Sequence, residues 1–279
     1  MKPDDFQYLS RLLRERSGLV IGEDKGYLLE NRLVPVARNH GLKDLDELVG
    51  ALRAGGREAL VGDVVDAMTT NESFFFRDKK PFDQFVSLVL PHLIKTRAAS
   101  RSFRIWSAAA SSGQEPYSVA MLLREHAAKL SGWRYEIVAT DISRDILAKA
   151  KAGIYSQFEV QRGLPISLLV KYFKQDGERW QIDPAIRAMV QFREFNLLDD
   201  PRILGSFDVV FCRNVLIYFD QQTKARVLER IRQVMPDDGF LYLGGAETVL
   251  GITDRFQPFP AERGIYAVSA AAAQARAAV

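Results

Sequence analysis

The chain of 279 residues has a single cysteine, Cys212, and only three histidines, His40, His92 and His126, far apart in sequence. One cysteine excludes an internal disulfide and any multi-cysteine zinc site, and the histidines show no metal-ligand spacing. Cys212 closes the apolar run 207–212, which is the setting of a buried, inert thiol. Such sparse cysteine usage fits a reducing, cytoplasmic compartment. No apolar run approaches the roughly 20 residues that a membrane helix needs, so membrane insertion is not expected. The N-terminus, MKPDDFQYLS, is acidic and has no apolar signal core, so secretion is not expected either. Residues 1–75 hold 10 Lys and Arg against 13 Asp and Glu, and the remainder 28 against 22. Neither part has the dense basic run of a nonspecific nucleic-acid binder, so no nucleic-acid partner is expected. Two nucleotide signatures are also missing: the GxxxxGK[ST] loop of kinases and ATPases, and the full GxGxxG of dinucleotide folds. No internal repeat is present.

What is present is the composition of a soluble globular protein, 47% hydrophobic and 26% charged, in a chain long enough for two domains. Residues 1–75 read as an all-helical N-terminal domain. Phe6, Leu9, Leu12 and Leu13 give a first helix its buried stripe, Gly18 stops it, and 19–22 make a turn. Leu28, Leu29, Leu33 and Val36 mark a second helix, with Lys25 and Arg32 on its outward face. Pro35 is expected to kink or end that helix, and Gly41 is a further stop. A third helix starts near Asp44 and a fourth spans about 57–68. With no glycine-rich loop and no strand alternation, this domain carries no chemistry of its own. In MTTNESFFFRD, residues 68–78, Thr69, Thr70, Asn71 and Ser73 can cap a helix and the phenylalanines can be core. Arg77, at the edge of the aromatic cluster, is expected to face a carboxylate ligand or partner.

A linking helix over 76–98 leads into a region, 99–268, where strands and helices alternate. Strand 103–106 passes through a loop of very small residues, 107–113, into a helix over 115–129. Strand 135–140 ends in Asp141 and precedes a helix over 144–150. Strand 189–195 ends in Asn196-Leu197. Strand 207–212 ends in Arg213-Asn214, and a helix follows over 221–234. Pro236-Asp237-Asp238-Gly239 turns into strand 240–243, and strand 264–268 closes the sheet. The interruption at 153–189 reads as a small inserted antiparallel β-subdomain, a hairpin with Asp176-Gly177 in its turn. The Ala-rich tail, 269–279, has no partner face and is read as mobile. Strand–helix alternation specifies an α/β fold with a mostly parallel sheet, and right-handed crossovers bring the strands' C-terminal ends to one edge, where ligands bind.

Polar residues therefore converge at successive strand ends: Glu115 after the small-residue loop, then Asp141, then Asn196, then Arg213 and Asn214. A carboxylate ending the second strand can accept both ribose hydroxyls, and an asparagine beyond the third can read an adenine edge. The pattern describes a nucleoside-type site without a pyrophosphate cradle. S-adenosyl-L-methionine fits it, because that molecule carries no phosphate but needs one acid for its ammonium and another for its ribose. Glu115 and Asp141 suit these tasks.

The segments TTNESFFFRD, WSAAASSGQEPYS, VATDIS and FCRNVLIYFD resemble the chemotaxis receptor methyltransferases of the CheR family, and the resemblance spans nearly the whole chain. It implies a Rossmann-like methyltransferase domain that uses S-adenosyl-L-methionine, with S-adenosyl-L-homocysteine as product. The acceptors would be glutamate side chains on the helical cytoplasmic domains of chemoreceptors, converted to methyl esters for chemotactic adaptation. It implies cofactor contacts from Asn71, Ser73, Arg77, Glu115, Asp141, Asn196, Leu197, Arg213 and Asn214, and places Arg77 and Tyr218 at the methyl-transfer site. Ser73 stands where many members have threonine. The second helix is implicated in receptor docking in this family, and Pro35 within it is a departure. The inserted hairpin is shorter than in members that tether to a receptor's C-terminal pentapeptide, which argues against such tethering. A monomer is expected, since no exposed apolar helix stripe demands a dimer. Two other readings stand beside this one: a methyltransferase for nucleic acid or a small molecule, and a cofactor-binding signalling module without turnover. Arg213-Asn214-Val215-Leu216 lacks the Asn/Asp-Pro-Pro-aromatic pattern of base-amino methyltransferases.

Overall fold

The computed structural model describes residues 1–269, so the tail expected to be mobile lies, apart from Ser269, outside the described residues. The chain forms two compact units. One comprises Met1–Thr70 with Tyr218–Thr223, and the other comprises Asn71–Ile217 with the chain from Lys224 onward.

The first unit is built on helices α1 (Pro3–Ser17), α2 (Gly26–Asn39), α3 (Leu45–Arg53) and α4 (Glu58–Met68). Their starts and stops follow local chemistry. Pro3 opens α1 with Asp4 and Asp5 in its first turn, and Gly18 closes it at φ +78°. Asp44 caps α3 by accepting the Glu47 N–H at 3.0 Å. Helix α2 packs on α3 and α4 through fully buried Leu29 and Leu33. Helix α2 does not end at Pro35 but continues to Asn39. Pro35 is exposed while Leu33, Val36 and Ala37 beside it are buried, so packing on the inner face outweighs one lost solvent-side hydrogen bond. Nor do Lys25 and Arg32 share an outward face. Lys25 precedes α2, and the Arg32 guanidinium donates to the Met68 and Thr69 carbonyls, both at 3.0 Å, neutralising the C-terminal end of α4. The short returning segment joins this unit through a Val20 N–H bond to the Tyr218 carbonyl at 2.9 Å and an Arg14–Asp220 ion pair at 2.6 Å.

The second unit opens with a helix over 80–96, composed of α5 (Lys80–Gln84), a π turn (Phe85–Val89) and α6 (Leu90–Thr96). The π turn ends two residues before Pro91, which has no N–H to continue the regular ladder. Strand β1 (Ser102–Ala108), α7 (Gln114–Glu125), β2 (Arg134–Asp141) and α8 (Arg144–Ala152) follow. The insertion contains β3 (Ile154–Ser156), α9 (Gln157–Gln161), α10 (Ile166–Tyr172), β4 (Phe173–Asp176), β5 (Arg179–Ile182) and α11 (Pro184–Arg187). Then come β6 (Val190–Glu194), β7 (Val209–Cys212), α12 (Gln221–Gln233), β8 (Phe240–Leu243), β9 (Phe256–Pro258) and β10 (Ile265–Val268).

The main sheet has the order β6-β2-β1-β7-β8-β10-β9, with the first five strands parallel and β10 antiparallel to both β8 and β9. The strand order reverses between β1 and β7, which marks that crevice as the ligand-binding switch point. Both sheet faces are covered. Phe82 and Phe85 of the 80–96 helix meet Phe211 on one side, and Phe211 stacks on Tyr242 at 4.5 Å. Trp106 meets Phe195 and Phe207, and its indole N–H donates to Thr140 at 2.9 Å. The inserted β-subdomain is a three-stranded antiparallel sheet, β3-β5-β4. Asp176 pairs with Arg179, so the hairpin turn is Gly177-Glu178 rather than Asp176-Gly177, with Gly177 at φ +57°. Strands β3 and β9 add to the expected elements.

Candidate functional site

The loop after β1 is held in a costly conformation. Ala109 and Ser111 take φ values of +62° and +51°, and Gly113 takes +90°. A side chain at Gly113 would press within 3.1 to 3.2 Å of Ala150, Tyr117 and Phe192, so only glycine fits there. Left-handed non-glycine residues cost roughly 1–2 kcal/mol each and persist only where neighbours enforce them. Here the neighbours are identifiable. Asp141 Oδ2 accepts the Ser111 N–H at 2.8 Å, Tyr155 donates its hydroxyl to the Ser112 carbonyl at 2.8 Å, and Ser111 Oγ donates to the Asn71 carbonyl at 3.1 Å. Asp141 Oδ1 accepts the Ser143 N–H at 3.0 Å. This carboxylate is 7% exposed and braces the loop as well as ending β2.

Glu115, the second residue of α7, is buried. Its Oε1 accepts the Ser107 hydroxyl at 2.8 Å and its Oε2 accepts Arg213 Nη1 at 2.9 Å. Arg213 sits directly after β7, beside β1, with its side chain 1% exposed. Its Nη2 donates to Asp78 Oδ2 at 2.7 Å and to the Arg77 carbonyl at 2.9 Å, and its Nε has no partner among the described residues. One guanidinium thus joins Glu115 to the 71–78 segment, in the forked geometry that suits arginine and not lysine.

Thr69 caps the C-terminal end of α4, its hydroxyl donating to the Asp66 carbonyl at 2.7 Å, and the segment is irregular from there to Phe74. Phe75 and Phe76 are buried, and the Phe76 N–H donates to Ser118 Oγ on α7 at 3.0 Å, which pins the segment to the cofactor-edge helix. Phe76, Asp78 and Lys79 all have positive φ. Among the described residues, no carboxylate is paired with Arg77. Arg77 donates to the Glu72 carbonyl at 2.8 Å and lies 5.6 Å over Phe74, whose ring also lies 4.3 Å from Arg162. Glu72 instead pairs with Arg162 at 2.7 Å, which lowers its pKa. At the end of β6, the Phe195 N–H bonds to the Asp141 carbonyl at 3.0 Å, and this sets Asn196 and Leu197 beside the second strand's end. Asn196 Oδ1 accepts the Leu198 N–H at 3.0 Å.

One residue that sequence reasoning missed is Glu247, after β8. Its Oε1 accepts the Val215 and Ile217 N–H groups at 2.9 and 3.3 Å, and its Oε2 those of Asn214 and Gly244 at 2.8 and 2.6 Å. These bonds hold Asn214 at φ +59° and fix the loop after β7. A Cβ on Gly244 would fall 2.6 Å from Asn214 Nδ2 and 2.8 Å from Glu247 Oε2, so glycine is required there too. The available signal was a carboxylate just after the next parallel strand, in Gly244-Gly245-Ala246-Glu247.

Nine of the ten expected site residues therefore lie in the second unit: Asn71, Ser73, Arg77, Glu115, Asp141, Asn196, Leu197, Arg213 and Asn214. Tyr218 opens the stretch that belongs to the helical unit. Cys212 is fully buried, and burial, with Glu247 and Glu115 nearby, raises its thiol pKa well above the ordinary value, as an inert role requires. Among the described residues no cluster of His, Cys, Asp and Glu could hold a metal ion. No described helix is long and apolar enough to cross a membrane. The donor set suits S-adenosyl-L-methionine: buried carboxylates at Glu115 and Asp141, a buried guanidinium at Arg213, an amide at Asn196, and no dense glycine cradle for phosphate.

A doubly wound sheet with these residues at its switch point is a methyltransferase domain that binds S-adenosyl-L-methionine. Residues 71–265 match the CheR methyltransferase SAM binding domain and residues 4–69 the CheR methyltransferase all-alpha domain. The chain belongs to the CheR methyltransferase family. The chemotaxis protein methyltransferase Cher2 of Pseudomonas putida is 43% identical over 94% of this chain and 96% of its own. Chemotaxis protein methyltransferase 1 of Pseudomonas aeruginosa is 44% identical over the same shares, 94% and 96%. The chemotaxis protein methyltransferase of Escherichia coli is 33% identical over 90% of this chain and 86% of its own.

Proposed function

We propose that this protein transfers the methyl group of S-adenosyl-L-methionine to glutamate side chains on the cytoplasmic helices of chemoreceptors, giving glutamyl methyl esters for chemotactic adaptation. The observation that supports this most is the Glu115–Arg213–Asp78 linkage. It gathers three of the four segments through which the chain resembles this family into one cluster around the buried Arg213 at the sheet's switch point. Near-full-length likeness to chemotaxis protein methyltransferases supports the acceptor class.

The cofactor supplies an electrophilic methyl group. An acceptor carboxylate, with an ordinary pKa near ~4.3, is already ionised at neutral pH, so no general base is needed. The chain's task is to hold oxygen, carbon and sulfur in line and to exclude water, which can supply roughly 7–11 kcal/mol of a barrier. Glu115, with Ser107 and Arg213 on its two oxygens, receives the cofactor's ammonium. Asp141 receives the ribose hydroxyls, and Asn196 and Leu197 border the adenine. Asn71, Ser73 and Asn214 line the remaining cofactor surface. Tyr218 positions the acceptor carboxylate. Arg77, held loosely over Phe74, orients cofactor or acceptor without gripping the nucleophile so tightly as to blunt it. The protein works as a cytoplasmic monomer, and its two-residue hairpin turn argues against pentapeptide tethering.

Incubation of the protein and radiolabelled cofactor with a receptor cytoplasmic fragment, with RNA, or alone tests this reading. Base-labile label on receptor glutamates is expected. Label on RNA, or cofactor binding with no labelled product, overturns it.

A further inference from the structure

A cavity of about 570 Å³ opens beside Arg213, between the C-terminal end of β8 and the start of β10. It shares Arg213 and Asp78 with the cluster that holds Glu115, and Asp78 directly follows Arg77, so whatever fills it adjoins the segment proposed to orient cofactor or acceptor. Its walls are apolar at Pro81, Pro258 and Ile265, and Leu250 stands at 65% exposure.

The polar groups around it have a one-sided remainder. Each carboxylate is already answered. Asp78 pairs with Arg213 at 2.7 Å, Glu262 accepts from Gln84 at 2.7 Å and Lys80 at 3.0 Å, and Glu247 accepts four backbone N–H groups. The donors are not exhausted. Arg263 is exposed and has no side-chain partner among the described residues. Lys80 has one carboxylate for three N–H bonds, and Arg213 in the wall keeps a buried Nε with no partner among the described residues. What the cavity lacks is therefore an acceptor, and a charged one matches a rim of cations with apolar walls. Its volume exceeds what a lone small anion fills, whereas an acidic side chain brings an apolar stem for the walls and backbone for the rim.

We infer that this cavity takes an acidic side chain of the acceptor protein, near the glutamate that is methylated, and so helps select the acceptor. This rests on the proposed function and goes beyond it by assigning a second contact point, with Arg263 as its selecting cation.

The test uses the full chain saturated with S-adenosyl-L-homocysteine and a receptor cytoplasmic fragment. Arg263→Glu reverses the exposed cation, and Leu250→Asp places a carboxylate on the exposed wall; neither residue is buried. Each is expected to weaken fragment binding in calorimetry, and to raise the KM for fragment, by about tenfold, the size of one lost charge-assisted contact. The kcat and the affinity for S-adenosyl-L-homocysteine should stay within about twofold of wild type, as expected for exposed positions away from the cofactor. With a fragment whose surface glutamates near the acceptor are changed to glutamine, the Arg263→Glu penalty should largely disappear. The inference is overturned if both variants bind fragment like wild type, or if the penalty is unchanged on the neutralised fragment. Failure of wild type to label any receptor glutamate, while still binding the cofactor, overturns the functional reading and this inference with it. That outcome is told apart because it needs no variant.

Discussion

The two edges of the parallel sheet handle buried charge in opposite ways. At the N-terminal edge, Arg97 donates Nε to Asp208 at 2.8 Å and Nη1 and Nη2 to Asp238 at 2.8 and 2.6 Å. Asp208 also accepts the Arg104 backbone N–H at 2.8 Å, and Arg104 pairs with Glu136, donates to the Leu204 and Ser206 carbonyls and lies 4.4 Å over Phe207. That network closes on itself. At the C-terminal edge, Arg213 is more deeply buried yet keeps Nε unpartnered, and the backbone beside it is strained at Phe76, Asp78, Ala109, Ser111 and Asn214. The two arginines therefore differ: Arg213 keeps residual polar capacity beside strained backbone, while Arg97 is satisfied within its own network. The N-terminal edge also carries an Arg232 Nε with no partner among the described residues and a left-handed Arg101 at φ +46°.

The sharpest way to break this contrast is to remove an arginine from each edge. Arg213→Ala leaves Glu115 buried without its cation, a loss of about 3–5 kcal/mol. Affinity for S-adenosyl-L-homocysteine, read by calorimetry, should fall about a thousandfold. Glu247→Ala strips four backbone N–H groups of their acceptor and releases the loop carrying Asn214. Methyl transfer should drop about a hundredfold, the cost of a misplaced reacting group, and Glu247→Gln should recover part of it. At the other edge, Arg97→Ala should lower stability in urea unfolding by about 2 kcal/mol and leave cofactor affinity unchanged.

Acid then separates the N-terminal edge further. The hydrogen bond from Arg97, aided by His92, holds the Asp238 pKa below its ordinary 3.8. A lowered folded-state pKa contributes stability above the unfolded value that is lost as pH falls through the folded one. The stability gap between wild type and Arg97→Ala should therefore narrow as pH falls below 3.8 in unfolding titrations. The smallest effect is expected from Ser73→Thr, which should change cofactor affinity by less than about twofold.

The central strands were readable because β7 and β8 are continuously apolar and β1 and β2 contain apolar runs, as strands buried on both faces require. The order of the site residues followed from their ends. Strands β3 and β9 were not readable: each has three residues, and β9 ends in Pro258, so neither offers a period to detect. Pro35 misled because a local rule predicts a break, while tertiary packing of Leu33, Val36 and Ala37 decides the outcome. Arg32 misled because helical spacing fixes a face but not what lies opposite, and the end of α4 lies opposite. Glu247 had only its place just after β8 as a signal, because its partners are backbone N–H groups that the sequence does not mark.

The stretch Tyr218–Thr223 also bears on inheritance. The chain leaves the helical unit at residue 70 and comes back to it far downstream, where Phe219, 9% exposed, lies so near Gly18 that a Cβ there would approach its ring within 3.1 Å. A recombination event that swapped only the first 70 residues between relatives would import a foreign surface against Phe219 and a foreign counterpart for Asp220. Viable exchange of the helical module should therefore carry residue 18 and residues 218–223 together, as a split cassette inherited in two pieces.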